Sequence, residues 1–334
     1  MKIVICQGEP IGGSPSREAL LNYWNEQLKP LKKENEIIFR GGFNYEKMDE
    51  IVKDADALVG TYIKDDYYNE EFFKKYPKLK YIATYAHGYG RFDKAAARKY
   101  GVIITNTIYG DVTIAQFAMA LLLDICHNVR LQDQHYKEAM DNHITVARGS
   151  NVRVKTKQIE LYEKTIGIIG LGSIGIWTAR MAAGFGMKVI SHNRSKKTGA
   201  EYDFVEQVSM EELLERSDVI SLHCPLTDET KQMINKESIS KMKDGVILVN
   251  TARGDLINEA DLVEALNSGK IYAAGLDVVA NEPISERCAL MYCKNAVITP
   301  HIAWAPEEAT YRTVRVATLN LQNWLQGTPT SVIS

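Results

Sequence analysis

Residues 166–186 read IGIIGLGSIGIWTARMAAGFG. An unbroken apolar run rich in β-branched residues meets Gly170-Leu171-Gly172-Ser173-Ile174-Gly175, and a helical pattern carries on through Arg180 to Gly186. Alone, G-x-G-x-x-G is a weak signal. Set between a strand and a helix it points to a dinucleotide site. The first glycine permits the tight turn, the second lets a pyrophosphate approach the backbone, and the third lets helix and strand pack closely. The helix start then offers free N–H groups and partial positive charge to phosphate. Gly170, Gly172, Ser173, Ile174 and Gly175 are therefore the expected coenzyme contacts. A glycine-rich turn chosen only for packing is the plainer alternative.

Downstream, 188–192 (KVISH), 218–224 (DVISLHC), 246–251 (VILVNT), 273–278 (AAGLDV) and 296–300 (AVITP) read as further strands. Upstream lies another series: 3–7, 36–40, 57–61, 81–85 and 102–106, with helical patterns such as 16–29 and 92–100 between them. Continuous apolar strands alternating with helices imply parallel sheets covered on both faces, an α/β fold of two Rossmann-like or flavodoxin-like domains. One long helix is expected over 112–137, and a last one from about Pro306 to Leu325. The polar segment 140–160 reads as a loop without further assignment.

Composition narrows the function. A chain of 334 residues suits two domains. Lys plus Arg number 40 against 42 Asp plus Glu, so no basic field exists to hold nucleic acid. Five cysteines, without a CxxC pair, suggest reduced thiols rather than disulfides or a metal site. The opening MKIVICQGEP reads as a strand ending at Pro10 rather than a secretion leader. The longest apolar run, Phe117 to Leu123, is far short of the roughly 20 residues a bilayer needs. A cytoplasmic protein without a membrane partner is expected.

An acidic residue about 20 positions past the glycine turn would hold the ribose 2′-hydroxyl of NAD. Here the second strand runs into His192-Asn193-Arg194-Ser195-Lys196-Lys197. A carboxylate would repel a 2′-phosphate, whereas Asn193 with Arg194 and Lys196 suits one. NADP(H) is the favoured cofactor and NAD(H) is possible, since Asn193 could also bond either ribose.

Three segments follow strands of the second series: Asn250-Thr251-Ala252-Arg253-Gly254, Gly275-Leu276-Asp277 on to Glu282-Pro283, and Thr299-Pro300-His301. Ligands of open α/β sheets bind beyond the carboxyl ends of the strands. Reducing a 2-oxo acid needs a cation for the carboxylate and a proton for the new alkoxide. Arg253 can grip a carboxylate with paired hydrogen bonds. His301 suits proton delivery near neutral pH. Glu282 can orient the imidazole and favour its charged form. Asp277 is placed to bond a nicotinamide carboxamide. Taken singly, each has a duller reading: a helix cap for His301, a loop tie for Arg253, a solvated turn residue for Glu282.

Together, GLGSIG (170–175), LHCPLT (222–227), VNTARGDLIN (249–258), GLDVVANEP (275–283) and TPHIAWA (299–305) closely resemble the D-isomer-specific 2-hydroxyacid dehydrogenases, from about residue 80 onward. The resemblance implies catalytic roles for Arg253, Glu282 and His301, with Ser195, Cys224, Pro225, Thr251, Ala252 and His301 itself added to the coenzyme contacts, and no metal. It also implies a discontinuous substrate domain (1–106 with about 305–334), a central dinucleotide-binding domain (107–304) and a homodimer. Ala86-His87-Gly88-Tyr89 lies at the family's substrate loop, so the backbone of His87 and Gly88 is expected to bind the carboxylate of a small 2-oxo or 2-hydroxy acid. Gln116, and Ile302-Ala303-Trp304-Ala305 after His301, resemble glycerate dehydrogenases (hydroxypyruvate reductases) within the family. D-lactate-type enzymes remain an alternative, as does a cofactor-sensing corepressor-like binding protein.

Overall fold

The computed structural model describes residues 1–64, 66–89, 91–146, 154–284 and 286–334. The chain forms two compact units, Met1–Gly110 with Ala305–Ser334 and Asp111–Trp304.

In the first unit β1 (Lys2–Cys6), α1 (Arg17–Gln27), β2 (Glu36–Arg40), α2 (Met48–Val52), β3 (Ala57–Thr61), α3 (Glu70–Lys75), β4 (Tyr81–Thr84), α4 (Lys94–Lys99) and β5 (Ile103–Thr105) follow in order. All strands are parallel, arranged β2-β1-β3-β4-β5. Strand alternation sorts the apolar residues onto two faces. Ile3 and Ile5 join Leu20, Trp24 and Leu321 on one side. Val4 and Cys6 join Ile51, Phe72 and Phe73 on the other. Short polar caps start the helices: the side chains of Ser16, Asn69 and Asp93 accept from Ala19, Phe72 and Ala96 N–H respectively.

The second unit opens with α5 (Asp111–His127) and α6 (Val129–Asp141). The single helix expected over 112–137 is thus two, because Asn128 takes left-handed dihedrals (φ 47°, ψ 43°). Asn is among the few non-glycine residues that accept that region readily. Read as one element, Asp111–Asp141 is long and apolar enough to cross a membrane. Its α5 half, however, buries Ala118, Leu121, Leu122 and Ile125 in the core of this unit. Residues 147–153 of the 140–160 segment lie outside the described residues.

Then come β6 (Thr165–Ile169), α7 (Ser173–Gly184), β7 (Lys188–His192), β8 (Glu206–Gln207), α8 (Met210–Arg216), β9 (Val219–Leu222), α9 (Lys236–Lys241), β10 (Val246–Asn250), α10 (Glu259–Ser268), β11 (Ile271–Leu276) and β12 (Ala296–Ile298). They build a seven-stranded parallel sheet in the order β12-β11-β10-β9-β6-β7-β8. Strand order reverses between β6 and β9, the place where such sheets open a ligand crevice. Core residues of α5 and α7 pack one face and those of α8, α9 and α10 the other. Helix α11 (Glu307–Leu325) closes the chain and packs Val314 and Leu321 into the first unit.

Candidate active site

The glycine turn sits where the strand order reverses. Gly170 has φ +97°, and a Cβ there would come within 2.6 Å of the Cys224 amide nitrogen, on the loop after β9. Only glycine fits that turn. A Cβ on Gly175 would strike the Gly170 carbonyl, so the start of α7 lies tight against the turn. Gly172 differs: an added Cβ would meet nothing within 4 Å, so the protein's own packing does not call for a glycine there. Gly172 is the helix N-cap and makes no side-chain cap, while Ser173 turns its hydroxyl to Asp111 at 3.0 Å. Across the strand ends, Thr251 Oγ1 is buried with no hydrogen-bond partner among the described residues. Open approach to a helix start and an orphaned hydroxyl are features a bound dinucleotide would use. The residues present fit that group, with Cys224, Pro225 and Ala252 on the same strand-end loops.

The three chemistry-bearing side chains follow β10, β11 and β12. Their loops are drawn together by backbone contact. A Cβ on Gly254 would overlap the Val279 carbonyl carbon and oxygen, so the Arg253 loop rests directly on the loop that carries Glu282. Asn250 shapes the first of these loops: its Nδ2 donates to the Arg253 carbonyl at 2.8 Å, and its Oδ1 accepts from Ala252 N at 2.9 Å. The exposed Arg253 guanidinium donates to the Ala252 carbonyl at 2.6 Å and has no carboxylate partner among the described residues. In the second loop Glu282 Oε1 accepts from Val279 N at 3.0 Å and Glu259 Oε1 accepts from Ala280 N at 2.8 Å.

Glu282 Oε2 lies 2.6 Å from His301 Nδ1, with both side chains partly exposed. This bond assigns Nδ1 as the donor and leaves Nε2 without a hydrogen bond among the described residues. His301 has φ +54°, a conformation rarely taken by a side-chain-bearing residue. Asp277, 1 % exposed, holds it there. The Asp277 carbonyl accepts from His301 N at 2.8 Å. Its carboxylate accepts from Thr299 Oγ1 (2.6 Å), Ile302 N (2.9 Å) and Ala303 N (2.9 Å). Of these groups Asn250, Glu259 and Thr299 escaped the sequence reading. Asn250 and Thr299 fall inside the quoted motifs, but only folded geometry shows what they grip.

On the loop after β7, Asn193 is occupied within the protein. Its Oδ1 accepts from Leu171 N at 3.1 Å and its Nδ2 donates to the Ser195 carbonyl at 2.8 Å. Arg194, Ser195 and Lys196 are exposed. The amide thereby ties this loop to the glycine turn. In the first unit, His87 and Gly88 are half-buried beyond the end of β4, and the His87 carbonyl accepts from Asn106 Nδ2 at 2.7 Å. Gly90, two residues on, lies outside the described residues.

A parallel sheet with a dinucleotide turn at its switch point, and an Arg, a Glu–His pair and a buried Asp on the adjoining strand ends, defines a nicotinamide-dependent dehydrogenase. The family description "D-isomer specific 2-hydroxyacid dehydrogenase, NAD binding domain" matches residues 119–303. A hydroxypyruvate reductase of Blautia hydrogenotrophica is 39% identical over 338 residues, covering 100% of both chains. A glyoxylate reductase of Korarchaeum cryptofilum is 37% identical, over 92% of this chain and 87% of that one. The crystal structure of the TT0316 protein from Thermus thermophilus superposes with TM-score 0.81 at 32% identity, with 100% of each chain covered. The chain belongs to the D-isomer-specific 2-hydroxyacid dehydrogenase family. It is an oxidoreductase of small 2-oxo and 2-hydroxy acids that uses a nicotinamide dinucleotide.

Proposed function

We propose that this chain is an NADPH-preferring reductase of hydroxypyruvate and glyoxylate, giving D-glycerate and glycolate. The 2.6 Å His301–Glu282 contact carries the catalytic part of the reading. A carboxylate on Nδ1 fixes the ring and supplies a counter-charge, so Nε2 can deliver a proton to the carbonyl oxygen as it becomes an alkoxide. The nicotinamide, when bound, supplies the hydride. Arg253, with no carboxylate partner among the described residues, holds the substrate carboxylate and polarises the adjoining carbonyl. Buried Asp277 keeps His301 in its left-handed conformation and retains a lone pair on Oδ2 for the nicotinamide carboxamide. His87 and Gly88 are assigned to carboxylate binding through their backbone N–H groups.

NADPH is favoured because Arg194 and Lys196 are exposed, with no carboxylate partner among the described residues. No acidic side chain occupies the end of β7. We further assign a homodimer, supported by the exposed apolar residues of α6, Val129 at 69 % and Tyr136 at 56 % exposed. A reducing, cytoplasmic setting is supported by five free cysteines.

The test is kcat/KM for hydroxypyruvate, glyoxylate, pyruvate and longer 2-oxo acids, each with NADPH and NADH. Hydroxypyruvate or glyoxylate with NADPH should lead by about tenfold or more. Pyruvate leading would move the reading to a D-lactate-type enzyme. Coenzyme binding without turnover of any acid would replace it with a sensor.

A further inference from the structure

We propose that Gln207 is a positioning residue that sets the preference for a 2′-phosphorylated coenzyme, by holding the 193–197 loop in a preformed shape. The inference rests on the NADPH reading above and deepens it.

Gln207 belongs to β8, a strand of two residues at the edge of the seven-stranded sheet. Its backbone pairs in register with Ser191 of β7. Its side chain does something separate. Oε1 accepts from Lys197 N at 2.7 Å, and Nε2 donates to the Lys197 carbonyl at 2.8 Å. A primary amide thus meets both polar groups of one backbone residue, as a neighbouring strand would. The loop's other end is fastened by Asn193, which accepts from Leu171 N and donates to the Ser195 carbonyl. Between these fastenings stand Arg194, Ser195 and Lys196, all exposed.

Three cations lie within four residues here, Arg194, Lys196 and Lys197, and none is paired with a carboxylate among the described residues. Like charges so close repel one another, and a free loop would spread them. A site for a doubly charged phosphate gains affinity when its donors are already held together, because less ordering remains at binding. Core packing does not require the amide of Gln207. The chain around β8 is anchored by the buried side chain of Val205 and by Val208 against the apolar core. The amide is spent wholly on the loop.

Because β8 lies beyond β7, Gln207 has no expected contact with the adenosine or pyrophosphate parts that both coenzymes share. Its loss should therefore fall on the 2′-phosphate alone. The probes are 2′,5′-ADP and 5′-AMP, titrated calorimetrically into the full-length wild type and Gln207→Met, a variant of similar length without hydrogen-bonding groups. Backbone hydrogen exchange at Lys197 is followed in parallel. The expected result is about a tenfold loss of 2′,5′-ADP affinity in the variant, 5′-AMP affinity within about twofold, and faster exchange at Lys197. Gln207→Thr suits an edge strand and cannot reach Lys197, so it gives the same comparison should the methionine variant fold poorly.

Equal losses for both probes, or an unchanged 2′,5′-ADP affinity, would overturn the positioning role while leaving the NADPH reading intact. A wild type that binds 2′,5′-ADP no more tightly than 5′-AMP would overturn both.

Discussion

Two histidines stand just past strands of the same sheet, and their surroundings make them chemical opposites. His301, after β12, is partly exposed and shares Nδ1 with the Glu282 carboxylate at 2.6 Å. His223, after β9, sits 2.8 Å through Nε2 from a neutral partner, Ser221 Oγ. Burial pulls the His223 imidazole down to about 4. Removing an imidazole from water disfavours its charged form, and a hydroxyl offers no counter-charge to restore it. Strand-end position alone therefore does not make a histidine an acid. The charged partner does, and of these two only His301 has one.

That contrast breaks most sharply at His301 itself. His301→Asn is the informative change, because Asn tolerates the left-handed dihedrals that Ala would strain against. It keeps the loop and removes the proton donor. Turnover of hydroxypyruvate should fall by about a thousandfold, with NADPH affinity nearly unchanged. A variant that keeps wild-type turnover would remove His301 as the acid, and the difference between the two histidines would lose its meaning. A smaller effect is expected at Arg253, on the loop after β10. Arg253→Lys keeps the charge but loses the fork, so kcat/KM should drop by roughly 10- to 100-fold, mainly through a raised KM. An unchanged KM would argue that Arg253 is a loop tie instead.

The sequence made the strands legible because a parallel strand carries a short β-rich apolar run through its middle. Runs such as KVISH at 188–192 and EIIFR at 36–40 match β7 and β2 residue for residue. Elements without such a run stayed hidden. β8 is two polar, partly exposed residues, and α2 and α3 span 5 and 6 residues, too few for a helical period to show. The break in the long helix depended on one dihedral at Asn128, which no spacing encodes. The site divides along the same line. Residue types at strand ends indicated Arg253, Glu282 and His301, since the chemistry demands those groups. The braces did not appear, because Asn250, Glu259, Thr299 and Gln207 mostly act on backbone groups whose positions exist only in the folded chain. Asn193 was legible by its place after β7, but its ties to Leu171 N and the Ser195 carbonyl were not.

The quieter histidine supplies the last test. A folded-state value near 4 lies below the ordinary histidine value of about 6.5. Above that ordinary value neither folded nor unfolded chain holds the proton, and the stability is complete. As pH falls from about 6.5 toward 4, the unfolded chain takes the proton first, so the folded state loses ground across that window. By about pH 5 the loss attributable to this one ring is about 2 kcal/mol. His223→Gln keeps an amide that can meet Ser221 and has no proton to gain. In urea titrations, the stability of the wild type relative to the variant should decline by that amount between about pH 8 and pH 5. The other titrating groups change in both proteins alike and drop out of the difference. A constant gap over that range would mean that the His223 ring is not held neutral by burial, and the contrast with His301 would have to be drawn on geometry alone.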